Sequence, residues 1–183
     1  VAVYCGMRVV EGEGDSYKIK DRLPGTEIDT PSGDVLPSLV MTSFISTQTL
    51  MIRRDIFHKV GGFDTQLPAL EDWELMLRVA QHGRVLFVDE DLVEQRFSPN
   101  SLTKDKVKRV TAQEMILFKH RDMLSGYPGA LTLGHSRIAG AHRALGADRK
   151  AYPHSFKAWK HGKRPKDFAL ACLSFVRGLF RAS

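Results

Sequence analysis

Residues 1–10 are apolar and rich in β-branched side chains, with loose alternation, and predict a strand. Residues 11–34 are polar and turn-rich, punctuated by Gly12, Gly14, Pro24-Gly25 and Pro31-Ser32-Gly33. An excursion of that length inside a compact domain is usually functional or mobile. Residues 35–41 fit a short helix or turn. Residues 44–52 return to apolar positions (Ile45, Leu50 and Ile52, with β-branched Thr47 and Thr49) and read as a core strand. A short helix is expected over 55–60, stopped by Gly61, because glycine tolerates the left-handed conformation. From there Trp73, Met76, Leu77 and Ala80 recur at i, i+3, i+4 and i+7, one face of a helix. Leu75 and Val79 widen that stripe, and Gly83 ends it. Residues 85–88 form a short strand, and 107–123 a helix with Thr103 or Asp105 as its cap.

The texture changes after Tyr127-Pro128-Gly129. Three helices are expected: 136–145, closed by Gly146; 148–159, bent or restarted at Pro153; and 167–181. The last carries Phe168, Cys172, Phe175, Val176 and Leu179 on one face. No segment recurs at a fixed period, so an α-helical appendage is predicted rather than a repeat array.

Length and composition set the outer bounds. The 183 residues suffice for one domain with a sizeable core plus an appendage. A 43% hydrophobic and 26% charged composition is that of a globular protein. No apolar run approaches the ~18 residues of a membrane span. The first residues carry neither an initiator Met nor a charged leader, so they are not a signal peptide and read as a strand entered in mid-domain. Net charge is +6, unevenly placed. From His135 onward eleven Lys and Arg face two Asp, whereas the preceding residues carry sixteen basic and nineteen acidic side chains. A basic tail attracts phosphates of nucleic acid or anionic lipid. Cys5 and Cys172 stand far apart in apolar contexts, so buried free thiols are expected, consistent with a reducing cytoplasmic setting. The seven histidines include no pair at metal-ligand spacing along the chain, so no zinc site is expected.

The candidate chemistry lies in Arg53-Arg54-Asp55-Ile56-Phe57-His58-Lys59-Val60-Gly61-Gly62-Phe63-Asp64, followed by Glu71-Asp72-Trp73-Glu74-Leu75-Met76-Leu77-Arg78. This places an acidic pair at the mouth of a helix, just after a glycine turn. A carboxylate held there by a rigid element can still reach a cleft and take a proton from an attacking hydroxyl. The same placement also suits a plain helix start, where acids gain about 0.3–1 kcal/mol from capping and the dipole.

The block resembles the acceptor-side half of an inverting family 2 glycosyltransferase with a GT-A fold. In that family an apolar strand, an Arg-rich short helix, Gly-Gly-Phe-Asp and Glu-Asp-Trp-x-Leu-x-x-Arg follow one another. The resemblance implies Asp72 as general base and Glu71 as a neighbour that contacts the acceptor or orients the loop. Trp73 is a core residue or a sugar platform. Gln48 lies near the acceptor or points to solvent. Arg96, in Gln95-Arg96-Phe97-Ser98, stabilises the leaving diphosphate or is an exposed structural arginine; its planar fork suits phosphate. The spacing of that segment does not match the Gln-x-x-Arg-Trp of processive synthases. Gly61, Gly62, Phe63 and Asp64 have structural roles as turn, anchor and cap.

The resemblance also implies an Asp-x-Asp holding Mg2+ or Mn2+ against the diphosphate of the donor. Asp89-Glu90-Asp91 has that form but follows the wrong strand, so it is rejected as the metal site. The ligands are expected upstream of Val1, together with the nucleotide-binding strands. The reading is therefore a partial GT-A mixed α/β sheet over residues 1–125 and a basic α-helical appendage over 126–183. Its substrates would be a nucleotide-sugar and a glycan or lipid-linked acceptor, in cell-surface polysaccharide or glycoconjugate synthesis. Its location would be cytoplasmic, with residues 157–181 at an anionic membrane surface or forming a solvated charged face. Nucleic-acid binding is not expected. The competing reading is a non-catalytic remnant that binds a membrane or a protein. By itself the chain is expected to be inactive, because donor and acceptor cannot be positioned together.

Overall fold

The computed structural model describes residues 1–11, 18–96 and 105–180. They form two compact units, Val1–Leu102 and Thr103–Ser183. That division falls before the helix expected at 107–123, not after it at 125. Strand β1 (Ala2–Glu11) organises the first unit and buries Ala2, Tyr4, Met7, Val9 and Val10. Along one edge it pairs in parallel with β4 (Val85–Arg96). Its other edge is shared by two antiparallel strands. β3 (Leu50–Ile52) takes Ala2 to Tyr4, and β2 (Lys18–Leu23) takes Met7 to Glu11. The fold is thus mixed α/β with a four-stranded mixed sheet, followed by a helical part.

Strand β2 lies within the stretch that reads as a turn-rich excursion. Its six residues, KIKDRL, are mostly exposed, and an edge strand that packs no face onto a core carries little periodic signal. β4 is twelve residues long rather than four. Beyond Val88 it is an exposed edge strand with two register shifts against β1, between Cys5 and Gly6 and between Gly6 and Met7. Conversely, the core strand expected over 44–52 shrinks to Leu50–Ile52. Phe44 and Ile45 are buried without strand pairing, and Thr47–Thr49 is a 3-10 turn.

Between β3 and β4 run the short helix α2 (Arg54–Lys59) and α3 (Glu71–Val79), continued by a 3-10 turn to His82. Helix α1 (Leu36–Leu39) precedes them and buries Leu36 and Leu39. The segment from Arg53 to Arg84 begins and ends on one residue. The Arg53 N–H donates to the Val1 carbonyl at 3.0 Å, and the Val1 nitrogen donates to the Arg84 carbonyl at 2.7 Å. Within it α3 is the core element, with Leu75, Met76, Leu77 and Val79 fully enclosed.

Glu74 is enclosed as well, and it is ionically matched. Arg78, one turn later, donates from Nε to both carboxylate oxygens at 3.0 and 3.1 Å. It also donates from its terminal nitrogens to the carbonyls of Val60 and Gly62, the latter at 2.8 Å. The pair therefore ties α3 to the turn after α2. That turn needs Gly61 and Gly62, at φ 80° and 70°.

The second unit contains α4 (Lys106–Lys119), α5 (Arg121–Ser125), α6 (Ala130–Ala144), α7 (Asp148–Gly162) and α8 (Pro165–Phe180). Asp105 caps α4 by accepting from the Val107 and Lys108 N–H groups, each at 3.0 Å. The expected single helix over 107–123 is broken at buried His120, and α6 starts six residues earlier than its pattern suggests. Pro153 lies inside a continuous α7. Helix α8 packs through Asp167, Ala171, Ser174 and Gly178, with Asp167 held by Arg164 at 2.6 Å and by the Ser136 hydroxyl at 3.0 Å. Its apolar stripe faces outward: Phe168, Phe175, Val176, Leu179 and Phe180 are all exposed. Cys172 is exposed too and Cys5 half-buried, so the expectation of two buried thiols does not hold. Small residues let helices approach closely, and here they displace the large ones from the interface. Among the described residues no helix is long and apolar enough to cross a membrane.

Breaking a buried ion pair from one side leaves an uncompensated charge, at a cost of about 3–5 kcal/mol. Arg78→Met should therefore lower the urea midpoint strongly. Arg53→Met removes the exposed pair with Asp55 and should leave the midpoint essentially unchanged.

Candidate active site

Asp72 occupies the first turn of α3. The residue before the helix, Leu70, is left-handed at φ 60°, an uncommon conformation for a side chain of that kind. The turn brings the chain round so that Glu71 is exposed and Asp72 half-buried at the helix mouth. The Asp72 Oδ1 accepts from the Trp73 N–H at 2.7 Å. Burial raises the Asp72 pKa above the ordinary carboxylate value, and the neighbouring Glu71 charge adds to the rise. The Trp73 and Thr47 backbone N–H groups work in the other direction. Such a carboxyl is a stronger proton acceptor than an exposed one.

Thr47 connects Asp72 to open space. It lines a groove of about 440 Å³ together with Leu50, Ile52, Arg54, Phe57 and Phe63. The groove is mainly apolar with one guanidinium, and Phe57 and Phe63 meet edge-on with centroids 5.8 Å apart. Phe63 is therefore a partly exposed wall of the groove, not a core anchor. Asp64 behaves as a turn residue, accepting from the Gln66 N–H at 3.0 Å.

The other expected site residues have distinct fates. Gln48 is exposed in the 3-10 turn beside Thr47, not within a strand, and its side-chain oxygen accepts from the Ser46 hydroxyl at 2.8 Å. Trp73 is half-buried, and its indole N–H donates to the Leu39 carbonyl at 2.7 Å. The indole thus fixes α3 against α1. Arg96 forms an exposed ion pair with Glu94 at 2.8 Å, at the far end of β4. Residues 97 and 98, which complete that segment, lie outside the described residues. The contributions of Thr47, Arg54 and Phe57 have no sequence signature, since the groove exists only once β3 and α2 are folded.

Asp89 and Asp91 do not fit the role of divalent-cation ligands. Asp89 accepts from Arg22 Nη2 and Asp91 from Arg22 Nε, both at 2.7 Å, and Arg8 lies 4.0 Å from Asp91. Asp91 sits over Gly6, where a Cβ would stand 2.5 Å from its Oδ1. These carboxylates tie β4 to β2 across β1.

The helical unit holds a second polar cluster. His142 Nε2 lies 2.7 Å and His154 Nε2 3.3 Å from one oxygen of Glu114. His135 Nδ1 is 3.0 Å from His154 Nδ1, and His161 stacks on His135. Burial lowers the pKa of His135 to about 3 and also lowers that of His154. The spacing argument along the chain did not anticipate this cluster. The signal was present as His135 with His142 and His154 with His161, each pair seven residues apart on one helix face.

With this geometry in view, residues 27–107 match the family described as glycosyltransferase like family 2. The chain is also similar to two curated proteins named as uncharacterized glycosyltransferases. One, from Rickettsia typhi, is 27% identical over 134 residues; the other, from Rickettsia prowazekii, is 25% identical over 134 residues. Each alignment covers 65% of this chain and 41% of the relative, so the chain spans about two-fifths of the length of these relatives. No solved structure matches. Over residues 27–107 the chain is thus similar to part of a glycosyltransferase family 2-like domain. The matched segment contains the glycine turn, the groove and Asp72.

The raised Asp72 pKa has a consequence for stability. Between the unfolded carboxylate value and the raised folded one, the native state binds more protons than the unfolded state. Stability therefore falls as pH rises through that window, and the penalty persists above it. Asp72→Asn keeps an acceptor for the Trp73 N–H and removes the penalty. It should raise the urea midpoint at pH 7, with the gain shrinking as pH falls through the window.

Proposed function

We propose that this chain supplies the acceptor half of an inverting glycosyltransferase that moves a sugar from a nucleotide-sugar to a hydroxyl. The observation that carries the reading is a half-buried carboxyl with a raised pKa, fixed at the mouth of α3 and adjoining an open groove through Thr47. The acceptor lies in the groove, its apolar ring face against Phe57 and Phe63, with Glu71 and Gln48 at the polar rim. Asp72 takes the hydroxyl proton as the oxygen attacks the anomeric carbon. Trp73 acts through position, holding α3 in place. Arg96, paired with Glu94 at the far end of β4, is assigned a structural role. The residues named here are assigned to the acceptor side; the nucleotide and its divalent ion are assigned to the part of such a transferase that this chain does not cover. Placed in the complete gene product, Asp72→Asn should lower kcat by about 10²–10⁴-fold with acceptor KM little changed. An unaltered kcat overturns Asp72 as base. The 183 residues alone should turn over no nucleotide-sugar.

A membrane-surface role for the helical unit rests on a separate observation, the outward apolar stripe of α8. Phe168, Phe175, Val176, Leu179 and Phe180 lie beyond the basic cluster of Lys157, Lys160, Lys163, Arg164 and Lys166. An apolar stripe with adjacent cations suits the interface of an anionic leaflet, and would place the enzyme beside lipid-linked acceptors. The chain should co-sediment with phosphatidylserine vesicles at low salt and be released as salt rises. Phe175→Asp should weaken that binding, and absence of binding at low salt removes the membrane role.

A further inference from the structure

We infer that Glu114, His142 and His154 form a binding site for a borderline divalent metal ion such as Zn2+, between α4, α6 and α7. The three ligand atoms come from three helices and lie within 4.8 Å of one another. Two donors on one zinc at about 2.0–2.1 Å stand roughly 3.3 Å apart at the tetrahedral angle. The separation of His154 Nε2 from the Glu114 oxygen is already 3.3 Å. That of His142 Nε2 is 2.7 Å and opens slightly when a metal bond replaces the hydrogen bond. Two imidazoles and one carboxylate suit zinc or cobalt better than magnesium or calcium, which prefer all-oxygen sites.

The surroundings are those of a built site. His154 uses Nε2 toward Glu114 and Nδ1 toward His135, 3.0 Å away. A donated Nδ1–H fixes the tautomer that leaves the Nε2 lone pair facing the ion, the arrangement by which an outer partner orients a ligand histidine. His142 is deeply buried, whereas the Glu114 side chain is about one-third exposed and His154 partly so. The ion therefore has a way in past Glu114, and a fourth position remains for water. Without a metal the same groups can be satisfied by two N–H donors sharing one carboxylate oxygen, so the two states differ in a measurable way. The site is independent of the transferase reading, because its residues all belong to the helical unit and those of the groove to the first unit.

The test uses the full chain after chelator treatment. Calorimetric titration with ZnCl2 should show one ion per chain with a dissociation constant of about 1 μM or tighter. Co2+ should give the visible absorption of a four-coordinate N/O site and be displaced by Zn2+. Saturating zinc should raise the melting temperature by several degrees, roughly as the mass-action relation requires. His154→Ala and Glu114→Gln should each weaken binding at least tenfold. His135→Ala should weaken it about 10–100-fold as a positioning residue. His82→Ala, an exposed histidine of the first unit, should change nothing. If the variants fail to fold, the wild-type titration and melt still decide. No saturable binding tighter than about 100 μM, or equal weakening by His82→Ala, overturns the site and leaves a metal-free hydrogen-bonded cluster.

Discussion

The enclosed pair of Glu74 and Arg78 is the interaction on which the first unit depends. A charge with no exposure is tolerable only when matched, and Arg78 matches Glu74 while spending its remaining donors on the Val60 and Gly62 carbonyls. One guanidinium thereby satisfies a buried acid and two turn carbonyls. It fixes the glycine turn that leads into the groove wall at Phe63, and fixes the helix whose first turn carries Asp72. A lysine could not do this, because a point charge lacks the planar fork. The acidic residue proposed to act on substrate is mobile only as far as this clamp allows.

The two units are stabilised in different ways. The first encloses branched and aromatic side chains between a strand-centred sheet and α3. The second packs helices through alanine, serine and glycine, with ion pairs and hydroxyls in the seams. Arg143 donates to the Ser155 hydroxyl at 2.7 Å, and Arg149 donates to the Gly178 carbonyl at 3.0 Å. Polar seams of this kind give up hydrophobic burial for specificity, and they leave large apolar side chains on the surface.

Legibility in the sequence followed burial. β1 and α3 were legible because each buries one face fully, so their periodicity survives in the residues. β2 and the distal half of β4 were not, because exposed edge strands impose no pattern. Helix α8 misleads in the opposite sense. Its apolar stripe is real, but the packed face is the one made of Asp167, Ala171, Ser174 and Gly178. Asp72 is singled out by the resemblance of the Glu71-Asp72-Trp73 segment to the transferase family, since its place at a helix start suits a plain cap equally well. The groove beside it could not be singled out, since Thr47, Arg54 and Phe57 meet only through tertiary structure. The histidine cluster was visible as heptad spacing on two helices, which becomes informative only when those helices are known to face one another.

The two hydrogen bonds at Val1 carry a final implication. Everything from Arg53 to Arg84 leaves and re-enters the sheet at the same residue, so its internal length does not set the register of β1 against β4. Closing a longer loop costs little, since each doubling adds only about 0.6 kcal/mol. The loops of the segment, outside α3 and the Glu74–Arg78 clamp, are therefore where length can vary. Insertions in those loops can reshape the groove wall while the strand pairing and α3 stay untouched. Descendants of such a scaffold could diversify what they recognise without first solving the folding problem again.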